Sequence, residues 1–245
     1  MKRVFAVLAS ASFVLAIGCS DYDIRMGKTL EEKRYQSNLN KYLDDAPAKG
    51  LLKDDEIFIR PPKGHPAAQA FSLAVVEPGK FDVENSFIDT KSVTGLHVVA
   101  RVKKPKPPPN AKKAAAPVEA PATRGKFIDD VVELVKSAYN VELTSGKFKA
   151  KSEEHGSRVN DFKYHPLDLT TKQVEVYVFT ESNGVHEVAM IFEFPKSKEN
   201  ENKMSTMIRY CLQSFGVGER AKVSYQGTSD LDAGEAIGSG APPPI

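Results

Sequence analysis

QVEVYVFTESNGVHEVAMIFEF, Gln173–Phe194, decides the fold. Two runs rich in β-branched and aromatic residues flank Asn183-Gly184. That dipeptide is the strongest short-range hairpin signal, because a two-residue type I′ turn needs positive φ at both central positions. Such a turn sets Ser182 opposite Val185, Glu181 opposite His186, Phe179 opposite Val188, Tyr177 opposite Met190 and Val176 opposite Ile191. One face then carries Val174, Val176, Val178, Ala189 and Ile191. The other carries Tyr177, Phe179, Val188, Met190, Phe192 and Phe194. Both faces are apolar, so the hairpin belongs inside a sheet covered on two sides.

Outward from the hairpin, further elements follow from periodicity. Downstream, Met204, Met207, Ile208, Cys211, Leu212 and Phe215 recur at helical spacing. Ser197 or Asn200 is placed to cap that helix, and Gly216 to follow its end. Upstream, Val159 to Tyr164 reads as a strand and Gly146 to Ser152 as another. Phe127, Ile128, Val131, Val132, Leu134, Val135, Ala138 and Tyr139 form a helical stripe, with Asn140 as a left-handed stop. Leu96 to Val102 is a strong strand, Ser86 to Asp89 a weaker one, and Phe71 to Val76 a third before Pro78-Gly79. Glu56 to Arg60 is a short apolar run stopped by Pro61-Pro62. Thr29-Leu30-Glu31-Glu32 matches a capping box, predicting a helix from about Leu30 to Leu43.

Residues 103–123 break the pattern, with six prolines, five lysines and six alanines in 21 residues. Such a segment buries no apolar face. It reads as an insertion within one domain; a tether between two domains is the other reading. The order of strands, helix, strands, helix, with the best-defined pair antiparallel, predicts an α+β fold: an antiparallel sheet covered by helices. The expected organisation is 1–18 as a signal peptide, 19–69 as anchor, spacer and N-terminal helix, 70–222 as the α+β domain, and 223–245 as a disordered tail. The element order over roughly 70–221 is similar to PsbP-like α/β/α sandwiches. That resemblance implies a docking or assembly role rather than catalysis, although fold alone does not assign function.

The N-terminus carries an address. Lys2 and Arg3 precede an apolar run from Val4 to Ile17, too short for a comfortable membrane span. Leu15-Ala16-Ile17-Gly18-Cys19 follows, and resembles the lipobox of bacterial lipoproteins. The resemblance implies cleavage between Gly18 and Cys19 by signal peptidase II and acylation of Cys19. Ala16 stands where Leu is commoner. The alternative is an ordinary secretory signal with Cys19 left as a thiol. Ser20 after the anchor cysteine implies the outer membrane rather than retention at the inner one, and two or three acyl chains anchor firmly.

The whole chain carries 34 basic and 32 acidic residues, and loss of Lys2 and Arg3 leaves 32 of each. A balanced mature chain gives no support for a nucleic-acid partner. An acylated Cys19 leaves Cys211 without an internal partner, as a buried small hydrophobe on its helix.

No sequence pattern of a nucleophile elbow, P-loop or dinucleotide fold occurs. His186-Glu187-Val188-Ala189-Met190 starts like a zinc-protease motif but ends in Met and lies on a strand, where i and i+4 diverge. His65, His97, His155, His165 and His186 are dispersed, and none of their spacings demands a metal. His186 is expected to pair across the hairpin with Glu181. His97 is expected to be hydrogen-bonded or exposed. These readings imply no catalytic residue, metal or cofactor. They point to a lipid-anchored cell-envelope protein that docks an envelope protein or polymer. A periplasmic carrier of a small ligand or metal is the alternative, and an enzyme comes third.

Overall fold

A computed structural model describes residue 22 and residues 24–47, 49–65, 70–103, 124–156, 158–219 and 221. The chain divides into two compact units, residues 1–42 and 43–245. The described part of the first unit is a helix, α1, over 24–42. It starts before the capping box: Thr29 Oγ1 donates to the Arg25 carbonyl at 2.9 Å, as a mid-helix residue does, rather than capping an end.

The second unit is built on a six-stranded antiparallel sheet in the order β2-β3-β7-β6-β5-β4. These strands are β2 (Val83–Asp89), β3 (Thr94–Val102), β4 (Lys149–His155), β5 (Arg158–Asp168), β6 (Lys172–Thr180) and β7 (His186–Pro195). Helix α3 (Phe127–Tyr139) falls between β3 and β4 in the chain, and α4 (Lys198–Ser214) follows β7. The fold is therefore α+β, an antiparallel sheet with helices on its faces, as the element order predicts.

The central register agrees with the sequence pattern. Val176 faces Ile191, Tyr177 faces Met190, Val178 faces Ala189 and Phe179 faces Val188. The turn itself differs. Gly184 has φ 68°, whereas Asn183 is not in the left-handed region. Gly184 N–H donates to the Glu181 carbonyl at 2.7 Å, and the Asn183 side chain accepts from Val185 N–H at 2.8 Å. The register survives because Glu181 N–H still closes on the His186 carbonyl at 2.9 Å.

The period-2 alternation then sorts the core. Val174, Val176, Val178, Ala189, Ile191 and Val99 pack with Val131, Val132, Leu134 and Val135 of α3. The opposite face presents Tyr177, Met190, Phe192 and Phe194, each at most 2% exposed, on the side of Met204, Met207, Ile208 and Leu212 of α4. Fully burying one such side chain contributes about 1.5–3 kcal/mol. Ser197 Oγ caps α4 by accepting from Asn200 N–H at 3.1 Å. The αL residue Asn140, φ 50°, ends α3. Gly216 does not act as a left-handed cap. It opens a two-residue strand, and a Cβ there would stand 2.7 Å from Ala221 Cβ.

Two further expectations change. Phe71 to Val76 is not a strand; Phe71, Leu73, Ala74 and Val76 lie in irregular chain against the α3-side core. The domain also begins near Leu43 rather than Ala70. A short helix α2 (Leu51–Asp54) leads into β1 (Ile57–Phe58), which pairs with β8 (Gly216–Val217). Leu43, Leu52, Ile57 and Ile59 are all buried. Arg60 ties this segment together, its Nε donating to the Asp44 carbonyl at 3.0 Å.

The strands on either side of residues 104–123 share one sheet. Asp82 holds both ends of that segment. Its Oδ2 accepts from Val102 N–H at 3.0 Å, and its carboxylate takes two bonds from Arg124 at 2.9 and 2.7 Å. This two-point guanidinium–carboxylate contact fixes orientation as well as distance.

Candidate docking face and buried polar network

Lipidation at Cys19 and cleavage after Gly18 concern residues outside those described, as does the tail 223–245. The described residues offer three arrangements with chemistry in them.

The first is a buried chain of polar groups on the α3 side. Ser86 on β2, His97 on β3 and Glu193 on β7 fall on one face through the registers Ser86–His97, His97–Ile191 and Gly95–Glu193. Ser86 Oγ lies 2.8 Å from His97 Nδ1, and His97 Nε2 lies 3.3 Å from Glu193 Oε1. Tyr139 OH donates to Glu193 Oε2 at 3.2 Å and Lys172 Nζ donates to the same oxygen at 2.7 Å. One neutral tautomer satisfies the chain: Ser86 O–H donates to Nδ1, and Nε2–H donates to the carboxylate. Gly95 leaves the room for this, since a Cβ there would meet His97 Nε2 at 3.1 Å and Glu193 Cγ at 3.2 Å.

Burial pushes the Glu193 carboxyl up, but the His97 and Lys172 hydrogen bonds outweigh it and bring the pKa down to about 2. Burial and the Glu193 charge push the Tyr139 phenol well up. The connectivity of serine, histidine and carboxylate resembles a nucleophilic triad. Its placement does not. Ser86 is 0% exposed and its Oγ accepts Ser72 N–H at 3.1 Å, while Phe71 packs edge-on against His97 at 6.0 Å. A nucleophile must reach a substrate carbonyl, and this hydroxyl faces protein on every side. The network instead fastens residues 71–76 to the sheet.

The second arrangement is an aromatic layer on the α4 side. The rings of Tyr164 and Tyr177 lie 4.8 Å apart, and Lys151 Nζ sits 4.8 and 4.9 Å from their centroids. Lys151 also donates to Tyr177 OH at 2.9 Å and lies 3.5 Å from Glu153. Tyr177 OH in turn donates to Glu175 at 2.5 Å. Burial, with the Glu175 charge, raises the Tyr164 phenol to about 12. The protein's own ammonium thus fills a cation–π cage. Nearby, Asn160 Nδ2 donates to the Leu212 and Phe215 carbonyls at 3.0 and 2.9 Å, securing the end of α4.

The third is the part of the sheet that α3 does not reach. On the α3 side of β4 and β5, Ala150, Ser152, Glu154, Val159, Asp161 and Lys163 are all exposed. On the other side of the same strands, Asn160 and Phe162 are buried. This end of the sheet is covered on one face and open on the other, a small mixed surface with Val159 52% exposed and Ser152 hydrogen-bonded to Asp161 at 2.5 Å.

The histidines remain scattered. His65 is buried with Nε2 3.1 Å from Thr94 Oγ1, and burial lowers its pKa. His165 rests against Phe148, and His155 lies on β4. His186 sits 2.7 Å from Glu181, the cross-strand pair the hairpin predicts, and 3.1 Å from the Asp55 carbonyl. Among the described residues no three His, Cys, Asp or Glu side chains gather as a metal site would need. Cys211 is buried and free, its thiol pushed up by burial. Among the described residues no helix is long and apolar enough to cross a membrane.

Sequence pattern marks His97 as a strand residue but misses Ser86 and Glu193, because their meeting depends on the pairing of β3 with β7. It also misses Asn160 as an anchor for α4. The one available signal was a polar residue at a position where β5 alternation calls for an apolar one.

No family model matches the chain, and no curated protein matches it. Among solved structures, the Ran-binding protein Mog1p of Saccharomyces cerevisiae is similar over 77% of this chain and 94% of its own, at 11% identity and a TM-score of 0.29. A likeness of that strength carries no functional argument for this chain.

Proposed function

We propose that the chain is a lipid-anchored cell-envelope protein, held through Cys19 at the periplasmic face of the outer membrane, whose α+β domain is a non-catalytic docking or assembly factor. The ordered charge, apolar run, Gly18 and Cys19 support the anchor. The observation that carries the docking role is the open face at the β4–β5 end, where the sheet offers, among the described residues, an exposed mixed surface. The partner is an envelope protein or polymer.

A photo-crosslinking residue placed at Val159 in the full chain tests this in native envelopes. A discrete adduct from Val159, absent when the same residue replaces exposed Val93 in the β2–β3 turn, is the expected result. No adduct, or the same products from both positions, would overturn the docking face. A second reading, a periplasmic carrier of a small ligand, draws support from the Tyr164–Tyr177 cage. It ranks second because Lys151 already occupies that cage.

A further inference from the structure

β4 is an edge strand among the described residues, so one side of its backbone has no strand partner there. Edge strands commonly carry like charges that repel any second copy. The sequence of β4 is arranged differently: Lys149-Ala150-Lys151-Ser152-Glu153-Glu154-His155. Its basic half precedes its acidic half, and Ser152 stands at the centre.

We infer that β4 pairs with β4 of a second copy of this chain, antiparallel and centred on Ser152. In that register Ser152 faces its own counterpart, Lys151 faces Glu153, Ala150 faces Glu154, and Lys149 faces His155. Each Lys151, which already lies 3.5 Å from Glu153 of its own chain, then also stands beside Glu153 of the second copy, so the two in-chain pairs join into one alternating cluster about the two-fold axis. Other registers bring like charges together. Sliding by two residues in one direction sets Lys151 against Lys151 and shortens the overlap to five residues, keeping two Lys149–Glu153 contacts; in the other it sets Glu153 against Glu153. Parallel in-register pairing stacks every lysine on a lysine. Odd shifts turn one sheet over and break the continuity of its faces.

Burial agrees with this use. Ala150, Ser152 and Glu154 are exposed, so among the described residues the open-face side of the edge is clear for a partner. The paired edges would extend the sheet across two copies and make one open face from two. A single strand pair buries little area, so the association is weak and salt-sensitive. This inference rests on the edge itself and not on the lipid anchor or on an envelope partner, so it can fail while those stand.

Disulfide trapping in the full chain tests it. Ser152→Cys brings two thiols face to face and is expected to give a rapid covalent dimer under mild oxidation. Ala150→Cys alone is expected to give only the background of the wild-type chain, whereas Ala150→Cys mixed with Glu154→Cys crosslinks. Equal trapping at Ser152 and Ala150, or none at Ser152, would overturn the register. Sedimentation of charge variants supplies a second readout. Lys151→Glu and Glu153→Lys should each weaken self-association about tenfold, and the double swap should restore it. Thermal melts establish that each variant is folded. A folded double swap that stays as weak as the single variants, or a wild-type chain monomeric at every concentration, would refute the pairing.

Discussion

The two ends of the sheet are built by different rules. In β3, β7 and β6 both faces are apolar and both are covered, so residues of either parity are buried: Val176 and Tyr177, Ile191 and Phe192. Along β5 from Val159 to Lys163 only one parity is buried, Asn160 and Phe162, while Val159, Asp161 and Lys163 face water; Leu167, further along on the other face, already belongs to the α3-side core. The same backbone geometry thus serves as core at one end and as display surface at the other. Stability should reside in the first end and recognition in the second.

Substitutions can break or sharpen that contrast. The largest effect is expected at the covered end. Phe192→Ala should lower the unfolding free energy by about 3–5 kcal/mol, read from urea denaturation, because its ring is fully buried. A loss under about 1 kcal/mol would mean that this face is not packed as described.

Glu193→Gln should cost less, about 1.5–3 kcal/mol near neutral pH, with a pH signature. The carboxyl has an ordinary pKa of 4.5 and a folded value of about 2. Folding therefore favours the ionised form. The stability this contributes is complete above pH 4.5 and is lost as pH falls through about 2. The gap between wild type and variant should narrow across that window, and a gap constant with pH would remove Glu193 from the account. The smallest effect is expected at the open end, where Val159→Lys should shift stability by no more than about 0.5 kcal/mol. If it destabilises as a core residue does, the β4–β5 face is covered and the contrast between the two ends fails.

How much of this was legible in the sequence follows the range of the interactions. The hairpin faces were readable because alternation and the Asn183-Gly184 turn act within a few residues. Their register survived even though Asn183 does not take the left-handed conformation, since Glu181 and His186 close the pair either way. The α4 stripe and the Ser197 cap are equally local. Phe71 to Val76 misled because an apolar run reads as a strand, whereas these residues lie against the core and are tied down by a bond from Ser72 N–H to Ser86, 14 positions away. The union of residues 43–65 with the domain hangs on Ile57 pairing with Val217, a contact no local pattern encodes. The open face was hidden for the same reason: which end of a sheet a helix leaves bare depends on strand order, and strand order is long-range.

The proposed function is that of a protein fixed to the envelope by Cys19 with its sheet end free to dock. Mass spectrometry of the full chain extracted from its own membranes, run natively and then denatured, tests this most directly. The account predicts a denatured mass for a chain starting at an acylated Cys19 and a native mass that includes a bound partner. An unmodified chain recovered alone from the soluble fraction would contradict it.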